Sequence, residues 1–320
     1  MLEIDGHSFA KGTKTQILFH PYGMQYDIPT TVICGTEPGM TMLVTAQIHA
    51  GEYNGSAAVM RLAEILDPAK LKGNLILMHC VNTSGFYQRQ RRFVPEDRTD
   101  LNANYPGNPK GTLGNRIAAW FAEKIFPHID FIADLHGGQD KHILECCAFY
   151  PRNCKVTEAS FAAAKVLNSK YLIASSNASG EYGYAAHICN IPALLIECGY
   201  ACVQTEAWIL EQMDNVRKLL KHFDMYELEE SRPIPRKINF KKSAYLMIDC
   251  KGVWKPNVEI NKQVKKGELI GTVTDFFGNV LQRYYAEGDG IVAYYIAGML
   301  VLDGDEAIAY GLLEDSEYVD

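Results

Sequence analysis

A histidine and a glutamate separated by two residues stand where a predicted strand gives way to a predicted helix. The segment reads QIHAGE over residues 47–52, so the pair is His49 and Glu52. At such a turn the two side chains can converge on one cation, and a third ligand from elsewhere would leave a fourth zinc position open to water. The pattern is not HExxH, which excludes a helical zincin site. Taken alone, the pair fits a surface pair at a helix start better than a metal site.

A second histidine, His136, closes another apolar run in the segment DLHGG, residues 134–138. Open α/β sheets bind ligands in the crevice at the carboxyl ends of their strands. Glycines beside the histidine allow a ligand to approach the backbone closely. By itself the pattern is more typical of a loop histidine.

Glu197 ends the apolar run ALLIE, residues 193–197. A carboxylate at the end of a buried strand costs free energy unless it is paired or functional. A general base and a structural ion pair are equally consistent with this position.

An arginine-rich segment, RQRR at residues 89–92, precedes the segment DLNANYPG at residues 100–107. Arginine can polarise a scissile carbonyl or bind a carboxylate through two parallel hydrogen bonds. Such a run is usually a solvated face, but this one lies in a long polar loop, where binding groups concentrate.

The elements that must position these residues alternate between strands and helices, which predicts an α/β domain around a largely buried sheet. The predicted strands are 41–48, 74–81, 130–135, 143–149 and 193–198, and the predicted helices are 55–66, 112–126, 155–168 and 203–228. After Glu230 the sequence pattern changes to a Pro-rich, basic segment and then to short β-type runs separated by glycines. Residues 240–320 therefore predict a small β-rich domain.

Composition limits the classes of function. The 320 residues carry 31 basic and 38 acidic side chains, a net charge of −7, which argues against a nucleic-acid binder. No apolar run approaches the length of a membrane span, and no secretory signal is visible, so a cytoplasmic protein is expected. The nine cysteines are odd in number and form no CxxC, which predicts buried free thiols in a reducing compartment.

Five motifs in this order resemble the succinylglutamate desuccinylase/aspartoacylase family, a branch of the zinc carboxypeptidase-like hydrolases. They are HAGEYNG at 49–55, RxxPxDxxxLN at 92–102, YPG at 105–107, DLHGG at 134–138 and PALLIECG at 192–199. The resemblance implies an α/β, mixed-sheet, zinc-carboxypeptidase-like catalytic domain over 1–230, a linker over 231–239, and a small β-barrel-like, biotinyl/lipoyl-like domain over 240–320. The turn DFFGN at 275–279 contains no lysine, so we expect this domain to shape the active-site entrance and not to carry a cofactor.

The same resemblance implies roles for individual residues. One zinc ion per chain would be held by His49, Glu52 and His136, with water as the fourth ligand. Glu197 would be the general base for that water and the acid that protonates the leaving amine. Arg92 would polarise the scissile carbonyl, and Asn102 would hydrogen-bond the substrate.

One departure affects the substrate. The family commonly reads LNR where this chain reads LNA, so Ala103 stands in place of an arginine that binds the substrate's carboxylate. The loss of such a charge-assisted hydrogen bond costs about 1.5–3 kcal/mol. Either a nearby arginine replaces it or the substrate lacks that carboxylate; the candidates are Arg89, Arg91, Arg98 and Arg116. A second change, Ala50 where glycine is usual, is expected to be tolerated unless its φ is positive.

The leading hypothesis is a zinc-dependent amidohydrolase that cleaves the amide bond of a small N-acyl amino acid or related compound. A metallocarboxypeptidase acting on peptide C-termini and a non-catalytic ligand-binding member of the family are the alternatives. The expected partner is a small-molecule amide, with no nucleic acid and no membrane. The sequence leaves the oligomeric state open, homo-oligomers included.

Overall fold

The structure, a computed structural model, describes residues 1–138, 141–227 and 233–319. The strands of the first part are β1 (Leu2–Ile4), β2 (His7–Phe9), β3 (Thr13–Phe19), β4 (Ile28–Cys34), β5 (Glu37–Ala46), β6 (Lys72–Met78), β7 (Phe131–His136), β8 (His142–Leu144), β9 (Cys147–Pro151), β10 (Tyr171–Ser175) and β11 (Ala193–Glu197). The later strands are β12 (Lys237–Phe240), β13 (Ser243–Met247), β14 (Gly252–Pro256), β15 (Gln263–Val264), β16 (Leu269–Thr274), β17 (Val280–Tyr285), β18 (Gly290–Ile296), β19 (Leu300–Val301), β20 (Glu306–Leu312) and β21 (Ser316–Val319). The helices are α1 (Tyr53–Ile65), α2 (Thr83–Gln88), α3 (Leu113–Trp120), α4 (Thr157–Lys165), α5 (Glu181–His187) and α6 (Glu206–His222).

A ten-stranded sheet forms the centre of the molecule, in the order β21-β12-β10-β9-β11-β7-β5-β6-β4-β3. Strands β5, β7 and β11 run parallel to one another, whereas β9 is antiparallel to β11 and β4 is antiparallel to β6. The predicted mixed α/β fold with a large mixed sheet is therefore confirmed.

Alternation along the central strands gives the sheet two apolar faces, because successive side chains of a strand point to opposite sides. On β5, Met42 and Val44 pack on one face in a cluster that also contains Val59 of α1 and Leu219 of α6. Leu43 packs on the other face. Both faces are buried, which is why these strands read as continuous apolar runs.

The same alternation determines on which face of the sheet the candidate site residues lie. Ile132 of β7 and Leu195 of β11 belong to the second face, so His136 and Glu197, which follow at even spacing, lie on that face as well. Parallel strands end at the same edge of a sheet. The end of β7, the end of β11 and the loop after β5 consequently meet at one place.

Several predicted elements differ from the structure. Residues 143–149 were expected to form one strand, but they divide between β8 and β9, which belong to different sheets. The predicted helix 112–126 is α-helical only over Leu113–Trp120, and a π-type turn follows over Phe121–Ile125. Helix α5 was not predicted, because its seven residues are too short to show a helical period.

Residues 243–312 form two smaller sheets that share an apolar core around Trp254 and Ile308. One has the order β13-β20-β18-β15, with β8 added against β18, and the other has the order β17-β16-β14-β19. Within the described residues these are two open sheets, so the expected barrel is not confirmed. The flanking strands β12 and β21 instead belong to the large sheet, so both ends of this unit join the central sheet.

The expected division at 230 and the first linker residues, 231 and 232, lie outside the described residues. The end of the expected linker, from Lys237, already belongs to β12, and the division into domains stays a prediction. All nine cysteines are described and none forms a disulfide bond, and four of them are buried: Cys34, Cys80, Cys147 and Cys198. Within the described ranges, every helix is too short or too polar to span a lipid bilayer.

Candidate metal centre and catalytic cavity

His49, Glu52 and His136 converge at the edge where β5 and β7 end. One potential ligand atom of each lies within 4.8 Å of the other two, and all three residues are buried. His49 and Glu52 come from the loop after β5, and His136 is the last residue of β7. The structure thus brings together the three residues that the resemblance implied as metal ligands.

Glu52 lies between the two histidines. Its Oε1 is 2.8 Å from Nδ1 of His49, and its Oε2 is 3.0 Å from Nδ1 of His136. The opposite ring nitrogens face two further carboxylates: Nε2 of His49 is 3.2 Å from Asp100, and Nε2 of His136 is 3.1 Å from Asp134. Each imidazole is therefore held between the shared glutamate and an outer carboxylate, the arrangement that orients metal-binding histidines in proteins.

The charges of this cluster determine its protonation. Burial by itself lowers the pKa of His49, but the charge of Glu52 and hydrogen bonds to Asp100 and Glu52 outweigh it and raise that pKa to about 9. Burial likewise raises the pKa of Glu52, but the two histidines outweigh it and lower that pKa to about 2. The glutamate is thus held as a carboxylate, the form that binds a cation.

The donor set fits a divalent metal. Two imidazoles and one carboxylate, with a further position open, make up a common catalytic zinc site. Glu52 Oε2 and His136 Nε2 lie at ion-pair distance from their neighbours, yet neither makes a hydrogen bond of acceptable geometry within the described residues. Buried polar atoms rarely remain in this state without a ligand such as an ion.

The local backbone explains two of the motifs. Gln47 has a positive φ of 55°, whereas Ala50 does not, so alanine is tolerated there as expected. A Cβ on Gly137 would lie 2.8 Å from the carbonyl oxygen of Cys198, and Gly199 has a φ of 84°. These glycines let the segments after β7 and β11 pack against each other, which keeps their final residues side by side.

Glu197 borders this candidate metal-binding cluster. It pairs with His136 in the register between β11 and β7, and it lines the same cavity as His49 and Glu52. Burial, followed by the charge of Glu52, raises the pKa of Glu197 to about 7. A carboxyl group with a pKa near neutrality can both accept and donate a proton, as a general acid–base catalyst must.

Arg92 and Asn102 also line this cavity. Nε of Arg92 donates to Oδ2 of Asp100 at 2.7 Å, so Asp100 links the arginine to His49. The Asn102 side-chain oxygen has no hydrogen-bond partner among the described residues. Sequence reasoning assigned no role to Asp100 or Asp134. For Asp134 a signal existed, because it precedes His136 by two residues in a strand and must share its face.

The cavity has a volume of about 660 Å³ and lies between the large sheet and the C-terminal sheets. Its C-terminal wall is Tyr245, Met247, Tyr294, Gly304, Asp305 and Glu306. Of the four arginines considered as replacements at Ala103, none is part of the described lining. Lys141, which the sequence analysis did not single out, does line the cavity.

Known proteins share this architecture. The N-α-acetyl-L-2,4-diaminobutyric acid deacetylase of Halomonas elongata is 26% identical over 275 residues, which cover 83% of this chain and 80% of that protein. A product-bound ectoine utilization protein from Ruegeria pomeroyi superposes with a TM-score of 0.82 at 23% identity and covers 93% of this chain and 94% of its own. A succinylglutamate desuccinylase from a Silicibacter species gives a TM-score of 0.80 at 24% identity and covers 93% of each chain. These structures share the fold.

The model of the succinylglutamate desuccinylase/aspartoacylase catalytic domain matches residues 38–224, which is more than half of the chain. The matched segment contains His49, Glu52, His136 and Glu197. The chain therefore belongs to the succinylglutamate desuccinylase/aspartoacylase family.

Proposed function

We propose that this protein is a zinc-dependent deacylase that hydrolyses the amide bond of a small N-acyl amino acid. The observation that carries the proposal is the position of Glu197, a carboxyl group with a pKa raised to about 7, beside the buried cluster of two histidines and Glu52. The Halomonas relative is named as a deacetylase of an acetylated amino acid, and this chemistry is consistent with the cavity.

His49, Glu52 and His136 would hold the zinc ion. When bound, zinc acts as a Lewis acid that polarises a carbonyl group and acidifies water. Glu197 would take a proton from the attacking water and pass it to the nitrogen of the leaving amine. Arg92, oriented by Asp100, would stabilise the negative charge that develops on the carbonyl oxygen.

The size of the cavity favours a small substrate over a peptide. Its volume of about 660 Å³ lies within the range of small-molecule sites. The C-terminal sheets form one of its walls. We therefore place the carboxypeptidase alternative second.

The test is the variant Glu197→Gln, which keeps the size of the side chain and removes its acid–base function. We expect kcat for amine release from a panel of N-acetyl amino acids to fall by about 10²–10⁴-fold. Zinc content, measured by elemental analysis, should be unchanged, because Glu197 is not among the three metal-binding residues. Full activity of the variant would contradict the role of Glu197. A wild-type protein that cleaves C-terminal residues from peptides and spares the panel would support the carboxypeptidase.

A further inference from the structure

The cations that line the cavity already have carboxylate partners. Among the described lining residues, the arginine and lysine side chains are those of Arg92 and Lys141. Nε of Arg92 donates to Asp100 at 2.7 Å, and Nζ of Lys141 donates to Oδ1 of Asp305 at the same distance. Each of these cations thus already balances the charge of one carboxylate, although the other N–H groups of Arg92 can still donate to a substrate oxygen.

Glu306, in contrast, is a cavity-lining carboxylate that lacks an ion-pair partner among the described residues. Its carboxylate lines the cavity and is partly buried, and it makes no hydrogen bond or ion pair with any described residue. Burial raises the pKa of Glu306 to about 7, and the charge of Arg92 opposes that rise only in part. A partly desolvated carboxylate in this position gains free energy when a cation binds to it.

A β-bulge directs Glu306 toward the cavity. In the pairing of β13 with β20, Leu246 lies opposite Ile308, but Met247 lies opposite Glu306, so Ala307 is an extra residue. In a regular ladder Ala307 would pair with Met247, and Glu306 would then share the face of Ile308, which is fully buried in the core. Bulges beside functional sites commonly redirect a side chain in this way.

The same sheet has a second bulge beside the cavity. In the pairing of β18 with β20, Val292 lies opposite Tyr310 and Tyr294 lies opposite Ala309, so Ala293 is the extra residue. Tyr294 lines the cavity, as does Met247 from the first bulge. Both register shifts described in this sheet thus occur at cavity-lining residues, which indicates that this wall of the cavity is shaped for a ligand.

We propose that Glu306 determines substrate specificity by binding a cationic group, so that the preferred substrate is an N-acyl derivative of a diamino acid. This inference rests on the proposed deacylase function and names its substrate class. An ammonium group would satisfy Glu306, whereas a second carboxylate would meet its negative charge in a cavity whose cations are already paired. Ala103, in place of the family's arginine, agrees with a site that does not select a dicarboxylate.

The test compares two amino acids of nearly equal size, L-2,4-diaminobutyrate and L-norvaline, which differ by an ammonium in place of a methyl group. Their binding to the zinc-loaded protein is measured by calorimetry. We expect the wild-type protein to bind diaminobutyrate about 10–100-fold more tightly than norvaline. In Glu306→Gln that ratio should fall close to one, with the affinity for norvaline unchanged. Glu287→Gln removes an exposed carboxylate from the same part of the chain and should keep the wild-type ratio.

Two results would overturn the inference: a wild-type protein that binds both amino acids equally, or a Glu306→Gln protein that keeps the preference. The first needs no variant, so the inference stays testable even if the substitution impairs folding. Hydrolysis of the two Nα-acetyl derivatives separates this inference from the proposed function. Turnover of both without preference would overturn the role of Glu306 and leave the deacylase intact. A binding preference that depends on Glu306, with neither derivative hydrolysed, would contradict the deacylase and support the cation site.

Discussion

Glu197 lies directly opposite His136 in the register of two parallel strands, and each is the final residue of its strand. Their side chains share one face of the sheet, and backbone hydrogen bonds of the sheet set the separation of the two residues. The proposed general base therefore cannot drift with a mobile loop. Its position relative to the proposed metal ligand His136 is determined by the pairing of β7 with β11.

The pH dependence of activity should report Glu197. Burial raises the pKa of Glu197 to about 7, and a bound cation nearby would lower it. A general base acts when it is deprotonated, so kcat/KM should fall as the pH drops below that pKa. We therefore expect an acid limb with a midpoint at or below about 7 in a profile of kcat/KM against pH. A midpoint well above 7 would assign the limb to another group.

Loss of either histidine should remove the metal. Each histidine supplies one of the three donor groups, and a site with two remaining protein ligands binds zinc far more weakly. We expect His49→Ala and His136→Ala, purified after exposure to zinc, to contain little of it by elemental analysis. His128→Ala changes an exposed histidine outside the site and serves as the matched control. Stoichiometric zinc in both site variants would refute the assignment of these ligands.

Asp100 should affect metal affinity, and Arg92 should not. Asp100 faces Nε2 of His49 at 3.2 Å and also binds Arg92. Replacement of such an outer carboxylate typically weakens metal binding by about 10–100-fold, so Asp100→Asn should lower zinc affinity by that factor. Arg92→Gln leaves the contact between Asp100 and His49 in place and should lower kcat while it retains zinc.

Competition with a chelator measures both zinc affinities. Equal affinities in the two variants would show that Asp100 does not orient His49.

Glu181 should destabilise the protein as the pH rises. It is fully buried at the start of α5, and neither carboxylate oxygen has a hydrogen-bond partner among the described residues. Burial, followed by the charge of Asp134, raises the pKa of Glu181 well above its ordinary value of 4.5. The folded state thus holds a proton that the unfolded chain releases, so stability is lost as the pH rises above about 4.5.

The variant Glu181→Gln removes this titration. Its free energy of unfolding, relative to wild type, should rise with pH by up to about 1.4 kcal/mol per pH unit. Urea denaturation of both metal-free proteins from about pH 5 to about pH 8 measures the difference. A difference that does not change with pH would mean that Glu181 is ionised in the folded protein.

Much of the fold could be predicted because the central strands are buried on both faces. β5, β6, β7 and β11 read as continuous apolar runs, and the structure places strands at each of them. The prediction of one strand over 143–149 was wrong, because a residue pattern cannot show that a chain leaves one sheet and joins another at Glu145 and Cys146. The pairing of β12 and β21 with the large sheet could not be predicted from the sequence either, since it depends on contacts between distant segments.

The sequence by itself determined the candidate ligands and the candidate base. His49, Glu52, His136 and Glu197 stand at or near the ends of apolar runs, but each local pattern alone left a structural reading open. Five motifs in the order typical of the family were needed to select these residues. Only the tertiary structure decided what surrounds them. Lys141 and Glu306 reach the cavity because β8 pairs with β18 and because a bulge redirects β20. Register and sheet packing are long-range properties, and they fix which side chains a substrate meets.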